Sequence, residues 1–158
     1  MAFVPSIPEA GPELLLDTSV YVDVIQGRAP SEVEGLLGLR ILNHSSVALA
    51  ELTHLFGRLD PSHPGTRSTL ATLRQAIAMI PSHRLTSPSI RAFAESGMLA
   101  GLAARLTGGA HTPAMLNDAV LLLHAMESGR WLLTRNIKHF DHLQQLAPRA
   151  RILFYRQA

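Results

Sequence analysis

Three acidic residues in this chain each stand where a strand-like run gives way to a helix: Asp17 in LLLDTSV, Glu51 in SVALAELTHLF and Asp118 in MLNDAVLLLHA. In an α/β sheet the carboxyl ends of parallel strands converge on one crevice, and ligands bind there. Three carboxylates gathered at that edge repel one another and resist ionising unless a divalent cation neutralises them. The pattern therefore points to a metal-dependent enzyme. Each acid also has an ordinary structural reading. Asp17 before Thr-Ser suits a turn or helix N-cap, Glu51 early in its helix complements the macrodipole, and Asp118 beside Asn117 suits an N-cap.

A fourth polar group follows a short apolar run in WLLTRNIKHF. Thr134 and Asn136 are read there as helix caps, or as contacts to a metal-bound water or a phosphate. Arg135 either holds a phosphate or is solvated. His139 and His142 lie three apart on an expected helix, but no HExxH accompanies them. His54 follows Glu51 by three positions and His124 follows Asp118 by six; the eight histidines are read as surface or core residues. No GxSxG elbow, Walker loop or GxGxxG occurs.

The elements that must position these groups follow from the apolar pattern. Residues 1–12, with Pro5, Pro8 and Pro12, read as an irregular tail before a single domain over 13–158. Leu14–Leu16 reads as a buried strand and Val20–Ile25 as a helix broken by Gly27 and Pro30. Ser31 is expected to cap a short helix to Leu39 in a capping box with Glu34. Arg40–His44 is a second strand, and Ser45 or Ser46 caps a helix whose apolar face is Leu52, Leu55, Phe56 and Leu59. After a loop over 60–65, Leu70, Leu73, Ile77 and Ile80 mark a helix stopped by Pro81. A helix over 88–106 starts with Pro in its first turn and carries a small-residue stripe of Ala94, Gly97, Gly101 and Ala104, with Gly108–Gly109 at its end. Thr112–Asn117 leads into a helix from Asp118 to about Ser128, with Ala119, Leu122, Leu123 and Met126 buried. Strand 131–133, a helix marked by Ile137, Phe140 and Leu143, and strand 151–155 complete the chain. Strands alternating with helices imply a mainly parallel sheet with helices on both faces.

Composition narrows the class. The chain has 158 residues, 47 % hydrophobic and 16 % charged, enough for one domain with a sizeable core. No apolar run approaches the ~20 residues of a membrane helix. The start, MAFVPSIPEAGPE, lacks a basic n-region and does not read as a secretory signal. Cysteine is absent, which excludes thiolate metal sites and is compatible with a cytoplasmic location. Net charge is +2, and the basic set is thirteen Arg against one Lys, Lys138. Arg favours bidentate contact with phosphate, although GC-rich coding also favours it, so support for a nucleic-acid partner is mild.

Taken in order, LLLDTSVYVD, SVALAELTHL and LNDAVLLLHAMESGRWLLTRNIKHF resemble the PIN domain, and in particular the VapC-like toxins of bacterial toxin–antitoxin pairs. The similarity spans roughly residues 14–156. It implies a three-layer α/β/α sandwich and a Mg²⁺- or Mn²⁺-dependent endoribonuclease that usually forms a homodimer and is inhibited by a cognate antitoxin. It implies Asp17, Glu51 and Asp118 as metal-binding acids and Asn136 as a fourth catalytic position, with Thr18, Thr134 and Arg135 contacting the RNA substrate. Many members carry an acid where this chain has Asn136, and His139 stands where related sequences often have Asp or Glu. A catalytically silent module of the same fold, binding RNA or protein, is the alternative. Helices within residues 31–59 are expected to offer an apolar groove to an antitoxin helix.

Overall fold

A computed structural model of the chain describes residues 1–108 and 113–157, apart from the side chain of Phe56. Six strands form one sheet, β1 (Ala2–Phe3), β2 (Leu14–Leu16), β3 (Leu42–Ser45), β4 (Leu85–Thr86), β5 (Trp131–Thr134) and β6 (Ile152–Phe154). Their order is β1-β6-β5-β2-β3-β4, and every pairing is parallel. Seven helices are described: α1 (Thr18–Ile25), α2 (Ser31–Leu39), α3 (Ser46–Arg58), α4 (Thr66–Ala78), α5 (Ile90–Thr107), α6 (Pro113–Glu127) and α7 (Ile137–Leu146).

The strands separate two cores. Leu15, Leu132, Ile152 and Phe154 pack with Ala100 and Ala103 of α5, Ala119 and Leu122 of α6, and Phe140 and Leu143 of α7. Leu14, Leu16, Leu133 and Leu153 pack instead with Val20 of α1 and Val33 and Leu36 of α2. Successive strand residues point to opposite faces, so the run of three leucines feeds both layers. This is why the central strand carries no polar alternation. Burying each leucine is worth about 1.5–3 kcal/mol. The result is the expected three-layer sandwich with a parallel sheet.

Several local expectations differ. The N-terminal stretch is not wholly irregular: Ala2 and Phe3 pair with Leu153 and Phe154, and Arg156 lies over the Phe3 ring at 5.3 Å. Ser31 is the first residue of α2 and Pro30 holds the cap position; no side-chain cap bond forms, and the Ser31 hydroxyl reaches only Glu32. Pro fixes the extended backbone that a cap residue needs. Ser45 does cap α3, accepting from the Val47 N–H at 3.2 Å. Helix α4 ends at Ala78, before Ile80, and of Leu70, Leu73, Ile77 and Ile80 only Leu73 is buried. Ser89 caps α5 by accepting from Ala92 at 3.1 Å, so Pro88 precedes the helix. The buried face of α5 is Ala92, Ser96, Ala100 and Ala103. The stripe of Ala94, Gly97, Gly101 and Ala104 lies outside it, and a Cβ at Gly97 or Gly101 would meet nothing within 4 Å.

The largest difference is at α6, which begins at Pro113, five residues before Asp118. Proline suits the first turn of a helix. The α6 surface is buried almost all round, Leu121 and Ala125 included. Gly109 and Thr112, read as part of this break, lie outside the described residues. No helix among the described residues is long and apolar enough to cross a membrane.

Candidate active site

Asp17 is delivered by the end of β2, and Leu133 of the neighbouring β5 accepts its backbone N–H at 3.1 Å. It occupies the N-cap position of α1, yet its side chain makes no cap bond. The carboxylate instead accepts from the Ser19 hydroxyl at 2.5 Å and the Thr134 hydroxyl at 2.7 Å. Glu51 and Asp118 each stand sixth in their helices, α3 and α6. A position in the second turn rules out an N-cap role for Asp118. It also removes the simple dipole reading of Glu51, because that effect fades beyond the first turn.

The three acids line one open cleft of about 570 Å³, together with Thr18, Ser19, Ala114, Arg135, Asn136, Ile137, Lys138 and His139. Each carboxylate is met by neutral donors. Glu51 accepts from Thr18 Oγ1 at 2.5 Å and from Asn117 Nδ2 at 2.9 Å. Asp118 accepts from Asn136 Nδ2 at 3.1 Å and faces His139 Nδ1 at 2.6 Å. Asn136 also caps α7, accepting from the His139 N–H at 3.4 Å, which is the cap role expected of it. Thr134 is no helix cap; its hydroxyl accepts from Asn136 N–H at 2.9 Å and donates to Asp17.

The electrostatics follow from burial and like charge. Burial, with the charges of Asp17 and Glu51 behind it, pushes the Asp118 carboxyl up to about 8. Burial also raises Asp17, against the pull of the Ser19 and Thr134 hydroxyls, and Glu51 adds to the rise. His139 is held neutral, first by burial and then by Lys138 and His142. A neutral ring beside a raised carboxyl supplies no compensating charge. The cleft therefore holds a surplus of suppressed negative charge, which a cation would relieve.

The donor set is all oxygen and carboxylate-rich, the chemistry that Mg²⁺ and Mn²⁺ prefer. Among the described residues, however, no three acids or histidines stand close enough together to hold a metal ion as they are. Each carboxylate is instead engaged by a hydroxyl, amide or ring nitrogen. The donor types fit a hard cation.

The sequence reading missed three cleft contributors. Ser19 bridges Asp17 and the Arg135 N–H, and Asn117 holds Glu51. His139, grouped with the other histidines as surface or core yet marked by the resemblance as standing where relatives often carry an acid, lines the cleft against Asp118. His124, by contrast, is a buried core residue as expected.

No protein-family model matches the sequence, and no curated protein matches it. Solved structures do. VapBC2 from Rickettsia felis, crystallised bound to a DNA fragment from its promoter, superposes with a TM-score of 0.65 at 20 % identity, over 90 % of this chain and 98 % of that one. DNA-bound VapBC from Salmonella typhimurium gives 0.64 at 21 % identity, over 90 % and 97 %. VapBC-5 from Mycobacterium tuberculosis, of the VapBC family of toxin–antitoxin systems, gives 0.60 at 18 % identity, over 92 % and 100 %. Likeness of this extent at such low identity establishes a shared fold: the chain is PIN-like, and it resembles the VapC-like chains of toxin–antitoxin complexes.

Proposed function

We propose that this protein is a divalent-metal-dependent endoribonuclease acting as the toxin of a toxin–antitoxin pair. The observation that carries the proposal is the single cleft lined by Asp17, Glu51 and Asp118, where burial first and the neighbouring carboxylates second raise the Asp118 carboxyl to about 8. A bound Mg²⁺ or Mn²⁺ would supply Lewis acidity to a phosphoryl oxygen and activate water. Asp17, Glu51 and Asp118 are the residues to hold it. Ser19 and Thr134 orient Asp17, Thr18 and Asn117 orient Glu51, and Asn136 and His139 orient Asp118. Arg135 and Lys138 bring positive charge to the same cleft, suited to the phosphates on either side of the bond being cut. RNA is read most readily where its bases are unpaired and accessible.

The same reading brings a cognate antitoxin and a homodimer. An apolar cleft of about 580 Å³ supports the first; it is lined by Val20 and Val24 of α1, Leu37 of α2, Leu42 of β3, and Ala76 of α4 followed by Met79. It lies partly outside the 31–59 stretch expected from sequence, because α1 and the end of α4 form two of its walls. Exposed Ile90, Phe93, Met98 and Leu106 on α5 support a second copy.

A catalytically silent module of the same fold is favoured by two observations, the absence of a ligation-tight trio among the described residues and the amide at Asn136. Metal titration and cleavage separate the two readings. Added Mn²⁺ should raise the melting temperature of the parent protein by mass action, and structured RNA should be cut in preference to matched DNA. Asp17→Asn and Asp118→Asn should each lower the cleavage rate by about a hundredfold or more while the far-UV circular dichroism spectrum stays unchanged. Full cleavage by either variant, or a parent protein indifferent to Mn²⁺ and to RNA, defeats the nuclease reading.

A further inference from the structure

The charged group that the proposed mechanism leaves unused is Asp23, which is fully buried on α1 six residues beyond Asp17. Four groups converge on it. The Tyr155 hydroxyl donates to Oδ2 at 2.9 Å and the Gln157 amide to Oδ1 at 2.7 Å. Arg28 approaches Oδ1 at 3.8 Å from a half-exposed position. Arg135 brings Nε to 2.9 Å from Oδ2. Arg28 is long-range and wet, so its share is small. Arg135 is different, because the same residue lines the acid cleft.

We infer that Asp23 is a positioning residue that pins Arg135 as a clamp for an RNA phosphate, and keeps its guanidinium off the three carboxylates. The inference rests on the nuclease reading. A guanidinium carries its donors in a rigid planar fork. Nε lies in ion-pair contact with Asp23 but its N–H finds no hydrogen-bond acceptor there, so charge, together with the backbone N–H fixed on Ser19 at 3.1 Å, holds the guanidinium beside Asp23 and leaves its donors available to a phosphate. An unpinned arginine beside three acids would pair with them and compete with any cation. A buried counter-charge of its own removes that option. Tyr155 and Gln157 hold the counter-charge in place from the residues just after β6, so that segment sets the clamp. Burial, with Asp23 beside it, raises the Tyr155 phenol above its ordinary range, so its proton stays on the hydroxyl and available to the carboxylate.

The test uses the full-length chain carrying Asp118→Asn to suppress cleavage, titrated with a short labelled single-stranded RNA in Mg²⁺ over a range of salt. Each phosphate contact to a single strand contributes about −0.7 to the slope of log K against log salt. Arg135→Ala should weaken binding about tenfold and make the slope shallower by about 0.7. Asp23→Asn should do the same, and the pair combined should be no worse than either alone. In the cleavage-competent chain, Asp23→Asn should raise KM far more than it lowers kcat. A purely structural Asp23 would lower thermal stability and add to the Arg135→Ala effect with no change of slope; that outcome overturns the inference. If Asp23→Asn does not fold, Tyr155→Phe takes its place, with a smaller shift in the same direction expected and an unaltered slope counting against the clamp. Should the parent bind no RNA at all, the nuclease reading and the clamp fall together. RNA binding that these substitutions leave untouched removes the clamp alone.

Discussion

Helix α6 carries two buried polar residues six positions apart, and they sit in opposite electrostatic conditions. His124 is 2 % exposed and has a partner on each ring nitrogen, Ser45 Oγ at 3.0 Å and Thr86 Oγ1 at 3.1 Å. The Arg130 guanidinium donates to Thr86 Oγ1 at 3.1 Å, and Ser45 Oγ also accepts the Val47 N–H; each hydroxyl can either donate to the ring or accept from it, so a neutral His124 is satisfied on both nitrogens. Behind Thr86, the charge of Arg130 is answered by Glu13 at 3.7 Å, and Glu13 accepts from Asn43 at 3.0 Å. Asp118 is 6 % exposed and also hydrogen-bonded, yet its neighbours in charge are two more carboxylates. The lesson is that satisfied hydrogen bonds do not by themselves separate structure from function. Uncompensated like charge does, because folding alone gains nothing from it.

The comparison can be broken in three ways. The largest effect is expected from His124→Ala, which empties a packed site and strands the Ser45 and Thr86 hydroxyls. About 2–4 kcal/mol of stability should be lost in urea unfolding, with cleavage per folded molecule intact. A specific loss of cleavage would merge the two regions. Next comes pH. Asp118 is raised to about 8 in the fold, so its contribution is fully present below its ordinary value near 4 and is lost as pH climbs through 8. His124 is lowered by burial, so its contribution is present above its ordinary value near 6.5 and is lost as pH falls. The metal-free protein should therefore lose stability as pH rises from about 4 toward 8 through one region, and as pH falls below about 6.5 through the other. Asp118→Asn should raise the melting temperature at pH 8 by roughly a few degrees and flatten only the decline between about pH 4 and 8; a thermal scan across pH reads both. The smallest effect belongs to Ser45→Ala, which removes the α3 cap and one His124 partner. About 1 kcal/mol should be lost, with no change in the metal dependence of cleavage.

Much of this molecule is readable from local chemistry. Leu14–Leu16, a short apolar run directly before Asp17-Thr18-Ser19, reads as a strand buried on both faces, and Ser45 ahead of an apolar helical run is a cap whose hydroxyl accepts the Val47 N–H. The two-residue strands β1 and β4 have no such signature; pairing with Leu153 and Phe154, or with His44 and Ser45, creates them. The start of α6 was misplaced for a related reason. Asn117 and Asp118 resemble a cap pair, but in the second turn their side chains meet Glu51, Asn136 and His139 from other elements. The choice of packing face on α5 likewise depends on which neighbour arrives. At the site, the expected placement at element ends holds for Asp17 alone; Glu51 and Asp118 stand in the second turns of α3 and α6 and reach the same cleft from there. The groups that hold them, Ser19, Asn117 and His139, and the Asp23–Arg135 tie across 112 positions, exist only once the chain has folded.

Lys138, the chain's sole lysine, lines the acid cleft. Apart from the amino terminus, the primary amines of this protein thus reduce to one ε-amine at the mouth of the site. A mild acylating reagent would address that amine and the terminus alone, and any occupant of the cleft would shield it, making its reactivity a direct gauge of occupancy.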